Sequence, residues 1–193
     1  MKKMRKWEKD GFVLRLAVKE DAEEYYNHNF NPLDREMVRL TGSKSSYTHD
    51  EVVEFFKKSI DSADRYDFVI LAPDGHIIGE SVINEIDEEV RSANFRICLF
   101  HSSEFGRGIG SWVIEKTLEF AFDDRKLHRV DLDVFSFNPR AIRAYEKAGF
   151  QREGVLRDAI KDGESYADDI LMAILEDEWQ SRKAKRADKA LEG

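Results

Sequence analysis

The sequence predicts an α/β fold whose core is a mixed, mostly antiparallel sheet of six or seven strands with helices on both faces. Apolar runs of strand length, several alternating with polar residues, recur along the chain between turn-forming residues. Segments with apolar residues at helical spacing lie between these runs. With 193 residues, 41% of them hydrophobic and 36% charged, the chain is long enough to bury one full core. We therefore expect one domain over residues 1–180 and a charged tail over 181–193.

The first part of the chain predicts strands, two helices and a loop. Asp21 is a candidate cap for a helix over 22–30. Residues 29–46 mix Pro, Gly, Ser and Asn and predict a loop with at most a short helix. Thr48 and Glu51 have the spacing of a capping box, which predicts a second helix. The strands predicted in this part run over 11–18, 67–71, 76–86 and 91–100.

A glycine-rich segment joins a strand to a helix in the middle of the chain. Residues 95–100 form an apolar run, Gly106, Gly108 and Gly110 follow, and Ser111 opens a helix predicted to reach residue 123. The N–H groups of such a turn, at the positive end of the helix dipole, bind phosphate. The spacing matches neither a P-loop nor the dinucleotide pattern, whose last glycine is replaced by Ser111. Taken alone, the segment is equally consistent with a surface turn.

Strand and helix signals continue after this helix. Residues 129–137 alternate polar and apolar side chains and predict a strand. Asn138 and Pro139 predict the start of a helix that ends at Gly149. The last two predicted strands run over 150–156 and 165–175. The tail is expected to be a solvated or frayed helix.

Two motifs in this region resemble the acetyl-CoA-binding core of the GNAT N-acetyltransferases. In that family the glycine segment reads (Gln/Arg)-x-x-Gly-x-(Gly/Ala), and Gly108-Ile109-Gly110 match its end, whereas Phe105 stands at the Gln/Arg position. We expect this departure to weaken the CoA contact without abolishing it, because backbone amides provide most of that contact. The next helix of the family reads Asn-x-x-Ala-x-x-x-Tyr-x-x-x-Gly-Phe. The residues that match it are Asn138, Ala141, Tyr145, Gly149 and Phe150.

The resemblance covers residues 12–179 and is strongest to the bacterial-type branch of ribosomal-protein alanine acetyltransferases and spermidine acetyltransferases. It implies a GNAT-like fold, acetyl-CoA as co-substrate, and direct transfer in a ternary complex. It also implies that the strand before the glycine segment runs beside the pantetheine. The cofactor-binding residues expected from it are Ile97, Cys98, Leu99, Phe100, Phe105, Gly106, Arg107, Gly108, Ile109, Gly110, Ser111, Asn138 and Ala141.

Tyr145 is the residue that the resemblance places near the CoA sulfur. A phenol is protonated at neutral pH and can donate a proton to the leaving thiolate. The alternative is that Tyr145 only packs on the core face of its helix. Asn138 fits both a helix cap and a pantetheine contact, and the sequence does not separate these roles.

The general base and the acceptor site are less well defined by the sequence. Glu80 and Glu85 are both candidate bases on the predicted strand 76–86. Because they are five residues apart, they are expected to point to opposite faces, so at most one faces the site. Glu23 and Tyr26 lie where this family builds its acceptor pocket and are substrate candidates by position only.

Composition limits the other classes of function. A net charge of −8, from 39 acidic and 31 basic residues, argues against nucleic acid as a partner and favours a cationic substrate, or simply aids solubility. The five histidines have no metal-ligand spacing, so we expect no metal. A single cysteine, Cys98, excludes an internal disulfide and suits a reducing compartment. No apolar run approaches a membrane span, and we expect a cytoplasmic protein without a membrane partner.

Together these observations predict an acetyl-CoA-dependent N-acetyltransferase. Its acceptor is expected to be a primary amine, either of a polyamine-like small molecule or at a protein N-terminus. A catalytically silent CoA-binding regulatory module is the alternative, invited by Phe105 and opposed by Tyr145. A dinucleotide oxidoreductase is a further option, which the missing last glycine disfavours. The sequence leaves a homodimer open.

Overall fold

The computed structural model describes residues 5–191, so the last two residues of the predicted tail lie outside the described part of the chain. The strands are β1 (Lys6–Lys9), β2 (Phe12–Leu16), β3 (Tyr66–Leu71), β4 (Ile77–Asp87), β5 (Ser92–Leu99), β6 (Arg129–Phe135), β7 (Gln151–Asp162) and β8 (Ser165–Leu175). The helices are α1 (Ala22–Asn29), α2 (Arg35–Thr41), α3 (His49–Asp61), α4 (Ile109–Glu119), α5 (Pro139–Ala148) and α6 (Glu176–Leu191). A π-helical turn, Phe120–Asp124, continues α4.

The structure confirms a mixed, mostly antiparallel α/β fold, with eight strands where six or seven were predicted. The additional strand is β1. It pairs antiparallel with β2 through a two-residue turn, Asp10-Gly11, in which both residues have positive φ (51° and 83°). This is the backbone of a type I′ hairpin, for which Asp-Gly is a strong sequence signal. β1 was not predicted because only one of its four residues, Trp7, is apolar.

The chain forms two compact units. The described residues of the first are 5–85 and 96–117, and its strand order is β1-β2-β3-β4 followed by the end of β5. Its core is an aromatic and aliphatic cluster in which Tyr25 of α1 and Phe56 of α3 pack with their ring centroids 4.5 Å apart. Phe100 meets Tyr25 edge-on at 5.2 Å. These contacts fix α1 and α3 on one face of this part of the sheet.

The second unit comprises residues 86–95 and 118–191, with the strand order β5-β6-β8-β7. β6 runs antiparallel to β8 over its whole length, and β5 pairs with β6 in parallel over Ser92–Asn94. Phe95 and Phe150 pack near Tyr145 of α5, and Trp179 of α6 stacks on Phe122 with ring centroids 5.8 Å apart. Trp179 is 1% exposed, so the first turn of α6 belongs to the core of this unit.

Most of the predicted helix ends are confirmed, with one exception. Thr48 and Glu51 form the predicted capping box of α3, and Gly149 ends α5 with φ of 108°. Asp21 does not cap α1 with its side chain. Instead its carboxylate accepts hydrogen bonds from both terminal nitrogens of Arg15, at 2.6 and 2.7 Å, and from the Val18 N–H. Because Arg15 binds both carboxylate oxygens of Asp21, these oxygens do not cap α1.

In the described part of the chain, no helix is both long enough and apolar enough to cross a membrane.

Candidate active site

The backbone of the glycine segment borders open space. Gly106 and Gly108 have φ of +78° and +79°, which side chains with a Cβ rarely adopt. A Cβ built at Gly106, Gly108 or Gly110 meets no atom within 4 Å. α4 begins at Ile109, so the N–H groups of its first turn have no acceptors within the helix. This geometry fits a diphosphate that approaches the backbone directly.

Arg107 adds less charge to this segment than the sequence suggests. Its guanidinium forms an ion pair with Glu104 and lies over the ring of Phe12, 5.2 Å from the centroid. Because Glu104 balances its charge, the helix N-terminus and backbone amides remain the main groups for holding an anion here.

β5, the strand expected beside the pantetheine, extends beyond the part that pairs in parallel with β6. Among the described residues, the pairing of β5 with β6 ends at Asn94, whereas β5 itself runs to Leu99. Cys98 on this strand packs against the core cluster of the first unit. Burial raises the pKa of its thiol, with a further contribution from Glu80. Cys98 is therefore a protonated core thiol and has no activated nucleophile character.

Helix α5, in the second unit, carries the other motif. The Asn138 side-chain oxygen accepts a hydrogen bond from the Ala141 N–H at 3.2 Å, which confirms the predicted cap. Tyr145 is 7% exposed. Its ring meets Phe95 and Phe150 edge-on, with centroids 6.2 and 5.7 Å away. These two rings fix the direction in which the phenol extends from the helix.

The structure distinguishes the two candidate bases by their surroundings. The Tyr25 hydroxyl donates a hydrogen bond of 2.7 Å to Glu80, and the Arg96 guanidinium lies 3.4 Å from the other Glu80 oxygen. Burial, followed by the Glu80 charge, raises the pKa of Tyr25 and keeps it a donor. Glu85 is exposed, with φ of 54°, and its side chain makes no hydrogen bond or ion pair within the described residues.

Both predicted acceptor-site residues contact the same histidine. Glu23 lies 2.9 Å from His49 Nε2, and the Tyr26 ring meets the imidazole edge-on at 4.9 Å. Hydrogen bonds to Asp50 and then to Glu23 raise the pKa of His49. His49 opens α3, and its part in this cluster has no local sequence signal because α1 and α3 are separated by a loop and α2.

Sequence reasoning also missed a link between Asp34 and Ser102. One Asp34 oxygen accepts hydrogen bonds from the Glu36 and Met37 N–H groups at the start of α2, both at 2.9 Å. The other accepts from the N–H and the hydroxyl of Ser102, at 3.0 and 2.7 Å. Burial opposes ionisation, but the hydrogen bonds from Ser102 and from α2 outweigh it and lower the pKa of Asp34.

Comparison with known proteins establishes the family. The family model described as an acetyltransferase (GNAT) domain matches residues 12–151. The chain belongs to the GNAT acetyltransferase family. Within the residues described, no group of three or more His, Cys, Asp or Glu side chains has a metal-binding arrangement.

The similarity to known proteins extends over nearly the whole chain. The spermidine N(1)-acetyltransferase of Vibrio cholerae is 30% identical over 170 residues, which cover 88% of this chain and 96% of the relative. The crystal structure of V. cholerae spermidine N-acetyltransferase in complex with CoA and spermine matches with a TM-score of 0.78 at 27% identity, covering 89% of this chain and 99% of that one. A dodecameric structure of that enzyme matches with a TM-score of 0.74 at 27% identity, over 90% and 99% of the two chains.

This GNAT protein is therefore an N-acetyltransferase that moves an acetyl group from acetyl-CoA to an amine. The comparisons give no support to a catalytically silent module.

Proposed function

We propose that the amine acetylated by this GNAT enzyme belongs to a polyamine, a flexible molecule with several positive charges. The observation that carries the proposal is the near full-length similarity to a spermidine N(1)-acetyltransferase. The net charge of −8 supports it, because an acidic protein attracts polycations at long range. The cluster around His49 contains the carboxylates of Glu23 and Asp50 and the ring of Tyr26. Its two negative charges exceed the single charge of a protonated imidazole, so it offers an acidic and aromatic surface suited to an alkylammonium chain. The α-amino group of a protein is the competing acceptor.

We assign the diphosphate of acetyl-CoA to the glycine segment, residues 105–111. Left-handed glycines, open space above them and a helix N-terminus support this assignment. The backbone of residues 97–100 is proposed to run beside the pantetheine, with one of its amides polarising the thioester carbonyl. Asn138 and Ala141, at the start of α5, are the remaining cofactor residues that the family resemblance implies.

The proposed reaction is a single transfer with balanced proton movements. The amine nitrogen forms a bond to the acetyl carbon, and the bond between that carbon and the CoA sulfur breaks. Tyr145 donates its phenol proton to the departing thiolate, and its match to the family motif supports this role. The acceptor ammonium loses two protons, one to become the nucleophilic amine and one as the amide forms. Both leave through a carboxylate, directly or through water, which returns them to solvent; Tyr145 is reprotonated from solvent, so one proton is released overall.

We propose Glu85 as the carboxylate that accepts these protons. Glu80 is poorly suited because a tyrosine hydroxyl and a guanidinium already contact its two oxygens, so the acceptor amine would have to displace one of them. Glu85 is exposed, and within the described residues its side chain is engaged by neither a donor nor a cation. Glu80 instead serves to fix Tyr25 and Arg96.

The acceptor proposal is tested by steady-state kinetics with a panel of amines. Spermidine, spermine, putrescine and a short peptide with a free N-terminus are compared through release of the CoA thiol, with product mass to identify the acetylated nitrogen. We expect kcat/KM for spermidine or spermine to exceed that for the peptide by at least about tenfold, which corresponds to ~1.4 kcal/mol of transition-state binding. A peptide preferred over every polyamine would contradict the proposal and support the protein acceptor.

Two features of the cellular form follow as proposals. A homo-oligomer is supported by the dodecameric relative and by apolar exposure on the β7–β8 hairpin, where Val155, Leu156 and Tyr166 are 50%, 49% and 65% exposed. Light scattering that gave a monomer mass would contradict it.

A cytoplasmic location is supported by the need for acetyl-CoA and by the single reduced thiol. Recovery of the native protein outside the cytoplasmic fraction would contradict this location.

A further inference from the structure

Asp34 uses its two carboxylate oxygens for two different elements. Oδ1 caps α2 by accepting from the Glu36 and Met37 N–H groups. Oδ2 accepts from the Ser102 N–H and hydroxyl. Ser102 opens the short 3₁₀ turn, Ser102–Glu104, that separates β5 from the glycine segment. One side chain therefore connects α2 with the chain that enters this segment.

The connection adds to different contacts on its two sides. α2 has seven residues, of which Met37 is buried in the core cluster and Val38 packs against that cluster, so Asp34 adds a polar attachment to an apolar one. The turn Ser102–Glu104 contains no buried residue. Its internal bonds, from Glu104 to the His101 carbonyl and from Phe105 to the Ser102 carbonyl, are local. The residues before the turn are held by other long-range contacts, from the Phe100 N–H to the Ile78 carbonyl and from the His101 ring to His28. Within the turn itself, the bonds from Ser102 connect it to Asp34, 68 positions away in the sequence.

We propose that Asp34 is a positioning residue for acetyl-CoA, holding Ser102 so that the amides of the glycine segment are already aimed at the diphosphate before it binds. This inference rests on the assignment of residues 105–111 to the diphosphate. A preorganised anion site binds more tightly because less ordering accompanies binding. The same link makes α2 and the glycine segment an energetically coupled pair, and coupling acts equally in both directions. CoA bound at the glycine segment therefore stabilises α2.

The substitution Asp34→Asn separates the two roles of the side chain. Asparagine caps helices as well as aspartate does, so the cap of α2 is retained. Its amide nitrogen cannot accept a hydrogen bond from the Ser102 N–H, so that bond is lost and two donors face each other, while the Ser102 hydroxyl can only accept from the amide. The link is therefore weakened. Ser102→Ala is the second variant and removes the hydroxyl donor while leaving the N–H bond. Glu51→Gln is the matched control, because it neutralises another capping carboxylate of the first unit at α3.

The test measures CoA affinity by calorimetry and amide hydrogen exchange with and without CoA. We expect Asp34→Asn to weaken CoA binding about fivefold or more, within the usual range of coupling between sites. Ser102→Ala should weaken it less, and the double variant should resemble Asp34→Asn alone, because both changes remove one interaction. In the wild type, CoA should slow exchange in residues 105–111 and in α2, and Asp34→Asn should abolish only the effect in α2. Glu51→Gln should behave as the wild type.

Two results would overturn the inference, and they distinguish a failure of the role of Asp34 from a failure of the cofactor assignment. If CoA protects residues 105–111 and Asp34→Asn lowers the melting temperature without changing CoA affinity, then Asp34 is only structural and the cofactor assignment stands. If wild-type enzyme binds CoA without protecting residues 105–111, the cofactor assignment itself is wrong and the role of Asp34 falls with it.

Discussion

At the residue scale, whether a side chain can act as an acid or a base depends on which hydrogen-bond donors and charged groups already contact its polar atoms. Glu80 and Glu85 have the same side chain on the same strand, yet one is held by Tyr25 and Arg96 while the other is exposed. The ring of Tyr145 is held by the rings of Phe95 and Phe150. These differences give the three residues distinct expected effects on kcat.

We predict that Tyr145→Phe and Glu85→Gln both lower kcat without unfolding the enzyme. Tyr145→Phe keeps the ring contacts but removes the proton donor, so kcat should fall by about 10²–10⁴-fold. Glu85→Gln removes the proton acceptor, so the amine must lose its proton to water and kcat at neutral pH should fall by about the same factor. The measurement is kcat at saturating acetyl-CoA and spermidine, with the melting temperature of each variant as the check on folding.

Glu80→Gln is the comparison for both variants. It disturbs the bonds with Tyr25 and Arg96, so it should lower the melting temperature while reducing kcat less than Glu85→Gln does. A larger loss of kcat in Glu80→Gln than in Glu85→Gln would reverse the assignment of the base. Tyr145→Phe activity within a few-fold of wild type would exclude the tyrosine as the acid.

At the scale of elements, β4 and β5 approach each other closely at Gly79. A Cβ at this position lies 2.5 Å from the Cys98 carbonyl oxygen and 3.0 Å from a methyl carbon of Leu99. No other residue type fits without moving the strand that is proposed to lie beside the pantetheine. Gly154 of β7 provides a contrast, because a Cβ there has its nearest neighbour at 3.6 Å, an ordinary contact.

We predict that Gly79→Ala lowers the free energy of unfolding by about 1–3 kcal/mol, the usual cost of overpacking, whereas Gly154→Ala has little effect. Thermal denaturation measures both, and about 2–4 °C is expected per kcal/mol for a chain of this size. Gly79→Ala should also raise KM for acetyl-CoA, because β5 must shift. Equal stability of the two variants would contradict the close approach of β4 and β5.

Local sequence signals predicted the elements well where one segment carries the whole signal. The capping box of α3, the Asn138 cap and the end of α5 at Gly149 were all predicted from a few neighbouring residues. β1 was missed although its Asp10-Gly11 turn is itself a local hairpin signal, because the strand beside it is polar. The elements were therefore largely predictable from periodicity and turn chemistry, and the resemblance to the GNAT family supplied their arrangement.

The rest of the candidate site depends on contacts between distant parts of the chain. Asp21 was predicted to cap α1, but the fold places Arg15 beside it and its oxygens are used there. Asp34 and Ser102 are 68 residues apart, and neither position has a pattern that indicates the other. A single sequence specifies which groups can form hydrogen bonds, and only the fold decides which partners are available.

At the scale of the whole molecule, the central claim is that this GNAT enzyme holds acetyl-CoA at the glycine segment. The family, the co-substrate and transfer to an amine are established by comparison. The location of the diphosphate is supported by left-handed glycines that face open space. Any side chain at Gly108 would project into the space that the diphosphate is proposed to occupy.

The most direct test is the change in melting temperature caused by acetyl-CoA in the wild type, in Gly108→Leu and in Gly163→Leu. Both substitutions strain a glycine with positive φ, +79° and +61°, but Gly163 lies in the turn between β7 and β8. At about one hundred times its dissociation constant, the ligand should stabilise the wild type by ~2.7 kcal/mol, a rise of several degrees. We predict the same rise in Gly163→Leu and none in Gly108→Leu. An undiminished rise in Gly108→Leu would contradict binding at the glycine segment.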